Sequence, residues 1–382
     1  MNLSIFFEPL RDFPEDYTLD HKSVGSSITP FLHKFPEWAE ADLALIGVNE
    51  YRGAGLPAAD QHPATEVRKK LYALKKGSGP YKIVDLGNLL PGITLEETYL
   101  RLKEIVEHLL LAHTLPVIIG GSHDLDYGQF LAYENLEKVV NLVTIDSCID
   151  MQEGADLPAN QQHLHQILMH EPNFLFSLSQ VAYQSYLVEP AVTATLEKLH
   201  FETVRVGELH QDITTAEPVI RHADLLSFDI NAINALAAPK ATGGNPFGLS
   251  GEQACQLCWY GGLNDQLSSF GLYEYYPEKD HHGLTAMTMA VMIWYFFEGY
   301  YHRKQETDFS SKKFVKYAIG FHDNPNKMVF YKSKVSDKWW MEVEGLGAEK
   351  KIKVVPCSYD DYLSASNGEV PNRWILTQGR MA

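Results

Sequence analysis

Three apolar runs in this sequence each end in side chains that bind hard metal ions. Gly120-Gly-Ser-His123 follows the first run, Asp146-Ser-Cys-Ile-Asp150 follows the second, and Asp229-Ile-Asn231 follows the third. One imidazole and several carboxylates form a nitrogen and oxygen donor set that suits Mn²⁺ or Mg²⁺. Single polar residues at loop starts are common, but a shared position at three strand ends favours one metal site.

The runs that carry these residues are predicted to be buried parallel strands. Residues 117–119, 139–145 and 223–228 are apolar enough to be buried on both faces. Amphipathic helices alternate with such runs: a capping box, Thr94-Leu-Glu-Glu97, begins one, and an apolar helix follows from Thr285 to about residue 302. The carboxyl ends of strands line the ligand crevice in parallel sheets, so we expect the three motifs to meet there.

Composition narrows the class of protein. The chain has 382 residues, of which 45% are apolar and 21% charged, enough for one large or two smaller cores. A net charge of -17 argues against a nucleic-acid-binding protein, because phosphates would be repelled. The N-terminus has no basic region, and no apolar run reaches the roughly 20 residues of a membrane span. Four cysteines without a secretory signal fit a reducing compartment, so we predict a cytoplasmic protein without a membrane partner.

The character of the chain changes near residue 303. We predict an α/β domain over residues 1–302, a polar linker over residues 303–313, and a small β-rich extension over residues 314–382. The extension shows antiparallel strand patterns at 314–321, 328–334 and 338–344. Trp339 and Trp340 either belong to its core or form a contact surface, and the core is the favoured interpretation. We identify no catalytic constellation in this extension.

The order and spacing of the three motifs resemble the arginase superfamily, whose pattern runs G-G-x-H, then D-A-H-x-D, then S-x-D-x-D. Residues 237–249 resemble the following loop in its formimidoylglutamase form, and Gly271-Leu-Tyr-Glu274 and Thr285-Ala286 match a later strand and the start of the final helix. The resemblance covers roughly residues 40 to 302. It implies a three-layer α/β/α sandwich with a mainly parallel sheet, and a homo-oligomer.

The resemblance also implies two manganese ions, which together activate a water for attack on the trigonal carbon of a guanidino or formimino group. Carried over residue by residue, one ion would be held by His123, Asp146, Asp150 and Asp229. The second ion would need a His and an Asp where this chain has Cys148 and Asn231. Asn231 offers a neutral carbonyl, and the Cys148 thiol is soft and must lose a proton to bind. We therefore expect this second position to be degenerate, and one Mn²⁺ rather than two, with no metal as the remaining possibility.

Two further residues are candidates for substrate binding. The resemblance implies that Glu274, at a strand end ahead of Pro277, holds the amidinium group of the substrate. His165 falls where arginases keep a His near the leaving group. The alternatives are a capping Glu and a surface histidine on a helix.

These observations leave three functions open. The first is a metal-dependent hydrolase of a linear amidine, formimidoylglutamase-like or arginase-like, which cleaves a C–N bond of a small amidine or guanidino substrate with a single metal. The second is a catalytically inactive arginase-fold protein with a role in binding or assembly. The third uses Cys148 as a covalent nucleophile with His123 or His165 as its base.

Overall fold

The computed structural model describes residues 2–11, 20–136, 138–239, 244–321, 324–346 and 351–381. Within these ranges, the larger of two sheets has ten strands. These strands are β1 (Phe7–Glu8), β2 (Ile28–Pro30), β3 (Leu43–Gly47), β4 (Ile83–Leu89), β5 (Leu115–Ile119), β6 (Val140–Ile145), β7 (Leu175–Tyr183), β8 (Glu202–Arg205), β9 (Leu225–Asp229) and β10 (Ser269–Tyr273). Every residue of β3, β5, β6, β9 and β10 is buried.

The strand order of this sheet is β1-β4-β3-β5-β10-β9-β6-β7-β8, and β2 also pairs with β4, at its residues 83–85, ahead of the residues that pair with β1. The β1–β4 pair is antiparallel, and the remaining pairs of the sheet are parallel. Strands buried on both faces explain why the sequence shows continuous apolar runs rather than alternation. A mainly parallel sheet is thus confirmed.

Helices cover both faces of the sheet. They are α1 (Pro63–Ala73), α2 (Leu95–Leu111), α3 (Leu125–Leu131), α4 (His163–Leu168), α5 (Pro190–Lys198), α6 (Val206–Gln211), α7 (Glu217–Ile220), α8 (Gly251–Leu263) and α9 (Leu284–Tyr301). Successive residues of β5 separate the two faces: Val117 and Ile119 pack with α1, α8 and α9, whereas Ile118 packs with α2. The predicted three-layer α/β/α sandwich is confirmed.

Local signals at helix starts correspond to the observed caps. The Thr94 hydroxyl accepts the Glu97 N–H at 3.2 Å and caps α2, while the Glu97 carboxylate accepts the Ile93 N–H at 2.7 Å. Thr94 thus supplies the first half of a capping box, and Glu97 satisfies a neighbouring N–H. None of the described helices is long and apolar enough to cross a membrane.

A second sheet forms the C-terminal extension. It contains β11 (Phe314–Phe321), β12 (Asn324–Ser333), β13 (Trp339–Glu344) and β14 (Ile352–Cys357), all paired antiparallel in chain order. The first three strands correspond to the predicted ones. Two helices that the sequence analysis did not identify follow, α10 (Tyr359–Ser366) and α11 (Asn372–Arg380). Trp339 and Trp340 are buried.

Candidate metal centre

The candidate metal ligands lie at the carboxyl ends of four adjacent strands. The strands β5, β10, β9 and β6 are neighbours in this order. His123, Glu274, Asp229 and Asp146 lie at or shortly after their last residues. Because the strands are parallel, these ends share one edge of the sheet, which is where such sheets bind ligands.

Two glycines let the chain turn sharply after β5. Gly120 and Gly121 have φ angles of 96° and 83°, a region that other residues rarely adopt. A Cβ on Gly120 would also lie 2.6 Å from the Val48 carbonyl oxygen. The turn places His123 at the edge of the sheet, where its side chain is buried.

The Nδ1 atom of His123 faces three carboxylates. Their oxygens lie 3.7 Å away for Asp146, 3.8 Å for Asp150 and 3.7 Å for Asp229. Nδ1 is buried and has no hydrogen-bond partner among the described residues. Ligand atoms about 2.1 Å from one divalent ion lie about 3.0 to 3.4 Å apart. The ligand atoms fall into two sets that share His123, one with Asp146 and Asp229 and the other with Asp150 and His163, and within each set they lie within 4.8 Å of one another.

The carboxylates repel one another at this edge. Burial, together with the charges of Asp229 and Asp150, raises the pKa of Asp146 well above its ordinary value. Burial also raises the pKa of Asp150, but the nearby His123 and His163 rings outweigh burial and hold that pKa low. The carboxyl group of Asp146 thus favours its protonated form, whereas that of Asp150 favours its charged form. A divalent cation would relieve the repulsion that produces this split.

His163 lies beside His123, with the ring centroids 4.3 Å apart. Its Nδ1 lies 2.8 Å from Asp126 Oδ1, and its Nε2 lies 3.5 Å from Asp150 Oδ2. Sequence reasoning missed His163. A signal for it was present, because His163 precedes the apolar Ile167 by four residues and so shares its buried helical face.

His165 is not brought to this group of residues. It lies two residues further along α4, is partly exposed, and lines a separate surface cavity with Tyr127 and Met169. Two residues on a helix correspond to a rotation of about 200°, so His163 and His165 point in nearly opposite directions. The proposed substrate role of His165 has no geometric support in this arrangement.

A second layer of hydrogen bonds orients the two histidines. Ser227 Oγ lies 2.9 Å from His123 Nε2 and donates to Asp126 Oδ2 at 3.0 Å. Asp126 is fully buried and also bonds His163. With Nε2–H donated to Ser227, His123 presents the Nδ1 lone pair to the carboxylates. Such partners fix the tautomer of a metal-binding imidazole.

Glu274 lies next to the group, but other side chains use its carboxylate. Its Oε1 accepts the His123 backbone N–H and the Asn160 amide, both at 3.0 Å. The Tyr276 hydroxyl donates to Oε2 at 2.8 Å. Glu274 is buried and has a φ angle of 65°, unusual for a residue with a side chain. Its role in holding a substrate stays a prediction.

Cys148 and Asn231 also line the cleft beside the carboxylates. The Asn231 amide donates to Asp229 Oδ2 at 3.1 Å, so it places an N–H on an oxygen that faces His123. Burial and the charges of Asp146 and Asp150 raise the pKa of the Cys148 thiol well above its ordinary value. Cys148 is therefore protonated at neutral pH, which disfavours it as a nucleophile or a ligand.

The cleft has a volume of about 380 Å³. Amide side chains and an apolar rim account for most of its remaining wall: Asn160, Gln161, Gln184, Tyr186, Leu187, Asn245 and Pro246. The loop that we expected over residues 237–249 borders the cleft at Gly244. Residues 240–243 of this loop lie outside the described part of the chain.

Comparison with known proteins gives one family. A sequence model of the arginase family matches residues 41–298. A formimidoylglutamase from Geobacillus sp. (strain WCH70) is 26% identical over 285 residues, which cover 70% of this chain and 86% of the relative. A formimidoylglutamase from Lysinibacillus sphaericus is 25% identical over 232 residues, which cover 56% of this chain and 69% of the relative.

Solved structures share the fold at lower identity. Formimidoylglutamase from Bacillus subtilis has a TM-score of 0.65 and 16% identity, and the match covers 78% of this chain and 98% of that protein. Formiminoglutamase from Trypanosoma cruzi, crystallised with Mn²⁺, has a TM-score of 0.64 and 18% identity, covering 70% and 96%. The residues matched by the family model include β3 to β10 and most of α9, and they exclude the C-terminal extension.

Proposed function

This chain belongs to the arginase family, and we propose from this premise that it is a metal-dependent hydrolase that cleaves a C–N bond of a linear amidine. The similarity to formimidoylglutamases supports a small molecule with a formimino or guanidino group as the substrate. The observation that carries the proposal is the His123 Nδ1 atom, which is buried, lacks a hydrogen-bond partner among the described residues, and faces three carboxylate oxygens.

The residues at the strand ends fit one Mn²⁺ ion. His123, Asp146, Asp150 and Asp229 would hold it. Carboxylate and imidazole donors suit Mn²⁺, and two positive charges offset the mutual repulsion of the carboxylates. When bound, the ion supplies Lewis-acid activation of a water molecule at neutral pH. The Ser227 and Asp126 hydrogen bonds keep His123 in the required tautomer.

We expect one ion rather than two. A second ion would need the private ligands that Cys148 and Asn231 replace. The Asn231 amide directs an N–H toward Asp229, and the Cys148 thiol keeps its proton beside negative charges. In this arrangement neither side chain presents the charged or imidazole donor that the family pattern has there.

We infer that His163 gives a proton to the nitrogen that leaves the reacting carbon. Burial lowers its pKa, but Asp126 and Asp150 outweigh burial and raise it well above the ordinary value. The Asp126 carboxylate accepts the Nδ1–H of His163, so Nε2 points toward Asp150 and the other candidate metal ligands. A protonated Nε2 can give its hydrogen to the departing nitrogen of a cleaved C–N bond, which is the step in which an amine needs a general acid.

Catalysis is tested by product release from N-formimino-L-glutamate and from agmatine, with the protein supplied with Mn²⁺. We expect turnover of at least one of them, and a loss of about 10³-fold or more in Asp229→Ala. Asp360→Ala removes an exposed carboxylate in the first turn of α10 and serves as the matched control, with unchanged activity.

The same assay separates the other two functions. Cys148→Ser should keep activity within about threefold, because a protonated thiol is neither ligand nor nucleophile. Loss of activity in Cys148→Ser, together with turnover by metal-free protein, would favour the covalent route. Absence of turnover by protein that holds one ion would favour the inactive arginase-fold protein.

A further inference from the structure

Both oxygens of the Glu274 carboxylate already accept hydrogen bonds from neighbouring residues. Its Oε1 accepts two hydrogen bonds, from the His123 N–H and the Asn160 amide, and two is the capacity of one carboxylate oxygen. Oε2 accepts the Tyr276 hydroxyl. The side chain is 4% exposed. A planar guanidinium that pairs with a carboxylate needs both oxygens at once.

Asn160 lies between this carboxylate and the cleft. It belongs to the short turn Ala159–Gln161, which follows the loop after Asp150. Asn160 lines the cleft together with Asp146, Asp150 and Asp229, whereas Glu274 is not among the described residues that line it. The Nδ2 of Asn160 donates to Glu274. Its Oδ1 is buried and has no hydrogen-bond partner among the described residues.

We propose that Asn160 is a specificity-determining residue that selects amidines with one terminal nitrogen and rejects guanidinium groups. This inference rests on the proposed function, since it assigns the substrate class of the same site. Asn160 saturates the Glu274 oxygen that a guanidinium would need, and it offers one neutral acceptor, Oδ1, in place of two charged ones. A buried acceptor without a partner is costly, and a single N–H of a bound substrate satisfies it.

The two substrate classes differ in the number of N–H donors that they direct at the part of the cleft lined by Asn160. A guanidinium in which one nitrogen carries the rest of the substrate has two terminal NH₂ groups, so it leaves one N–H donor without an acceptor beside Asn160. A formamidinium substituted in the same way has one terminal NH₂ and a C–H in the other position, and this hydrogen needs no acceptor. The unpaired donor penalises the guanidinium by about tenfold or more in affinity.

Binding of small probes tests this proposal without requiring turnover. Mn²⁺-loaded protein is titrated with formamidinium and guanidinium probes in their N-methyl forms, N-methylformamidinium and N-methylguanidinium, and the two dissociation constants are compared by calorimetry or by NMR titration. We expect the wild type to bind formamidinium at least tenfold more tightly. Asn160→Ala uncovers Glu274 Oε1, so guanidinium affinity should rise about tenfold while formamidinium affinity falls. Asn160→Leu keeps the cover but removes the acceptor, so formamidinium affinity should fall with no gain for guanidinium.

Asn135→Ala is the matched control, because the Asn135 amide also donates to a carboxylate, Glu107, at 3.0 Å but on the exposed surface. It should leave both affinities unchanged. An affinity ratio that is the same in wild type and Asn160→Ala would overturn the proposal, as would a wild type that prefers guanidinium. These outcomes concern binding alone. Failure of the proposed hydrolysis would instead show as absent turnover with an intact probe preference, so the two failures are distinguishable.

Discussion

At the residue scale, the two metal positions of this site differ in their private ligands. One position has a histidine and three carboxylates, His123, Asp146, Asp150 and Asp229, gathered around a single atom without a hydrogen-bond partner among the described residues. The neighbouring position has Cys148 and Asn231, which offer a protonated thiol and a donating amide. The second position lacks its ligands because of these two side chains, so substituting both should restore metal binding there.

The double variant Cys148→His/Asn231→Asp should bind two Mn²⁺ ions per chain. The imidazole supplies a neutral acceptor nitrogen, and the added carboxylate restores one negative charge beside Asp229. Manganese content after dialysis, measured by plasma mass spectrometry, checks this. Asn245→Asp adds the same charge elsewhere in the cleft and should leave the stoichiometry unchanged. A double variant that still holds one ion would contradict our reading of these two positions.

Some residues at the carboxylate cluster were predictable from the sequence, and others were not. The residues of the three motifs meet at one edge because each motif begins at the end of a strand or directly after it. The region between Asp150 and α4 has no such anchor, so the sequence analysis named His165 where the structure brings His163 to the carboxylates. Two positions on a helix turn a side chain by about 200°, which is nearly the opposite direction.

At the element scale, the buried strands were the most predictable parts of the fold. The bounds of β3 follow directly from its apolar run, and β5, β6 and β9 differ from the predicted runs by about two residues or less. The strands β7 and β8, which lie away from the metal site, are harder to predict from the sequence. They carry Ser, Gln, Thr and Glu residues, and such strands lack the apolar run that indicates a buried strand.

The start of helix α1 carries a histidine that should respond to pH. The His62 Nδ1 accepts the Ala64 N–H at 3.3 Å and caps the helix. Burial and the nearby charge of Arg68 lower the pKa of His62 to about 3. In the unfolded chain the pKa of His62 is near 6.5, so at pH values between 3 and 6.5 His62 binds a proton there but stays neutral in the folded chain. His62 therefore contributes stability fully above pH 6.5, and this contribution is lost as the pH falls toward 3.

His62→Asn should make the protein less sensitive to acid. Asn also caps helices but does not titrate, so the fall in melting temperature between pH 7 and pH 4 should be smaller in the variant than in the wild type. Thermal unfolding at several pH values gives this difference. His281→Asn, at an exposed position, is the control and should follow the wild type. Equal pH dependence in wild type and His62→Asn would show that His62 is not protonated on unfolding.

At the scale of the whole molecule, the C-terminal extension is held to the α/β domain by a few buried polar contacts. Arg221 follows α7 and donates to the carbonyl oxygens of Trp339 and Cys357 at 3.1 and 3.2 Å. Its guanidinium also lies over the Trp340 ring, 4.3 Å from the centroid. Arg373 on α11 pairs with Glu202 on β8 at 2.6 Å. Trp339 is buried in the core of the extension with Phe330, and Trp340 packs against Phe314 and beneath Arg221.

Arg221→Ala should destabilise the protein by about 2 to 4 kcal/mol, because it leaves two buried carbonyls without donors and removes the cation from the Trp340 ring. Urea unfolding followed by tryptophan fluorescence measures the change. The exposed pair of Arg205 with Glu208, at 3.1 Å, provides the control, since Arg205→Ala should leave the free energy of unfolding almost unchanged. Equal effects of both substitutions would contradict a structural role for Arg221 at this junction.

The fold of the α/β domain was predictable as a whole, whereas the extension was predictable only in part. Periodicity identified β11 to β13, but α10 and α11 are short helices whose stability depends on packing against the sheet. Such packing is not visible in a local pattern. The predicted cytoplasmic location and homo-oligomeric assembly stay predictions.

The number of manganese ions bound per chain is the most direct test of the central claim, which is that this arginase-family protein keeps one working metal position. Protein equilibrated with Mn²⁺ and then dialysed should contain one ion per chain by plasma mass spectrometry. His123→Ala should contain none while remaining folded by circular dichroism. Two ions per wild-type chain, or none, would contradict the account.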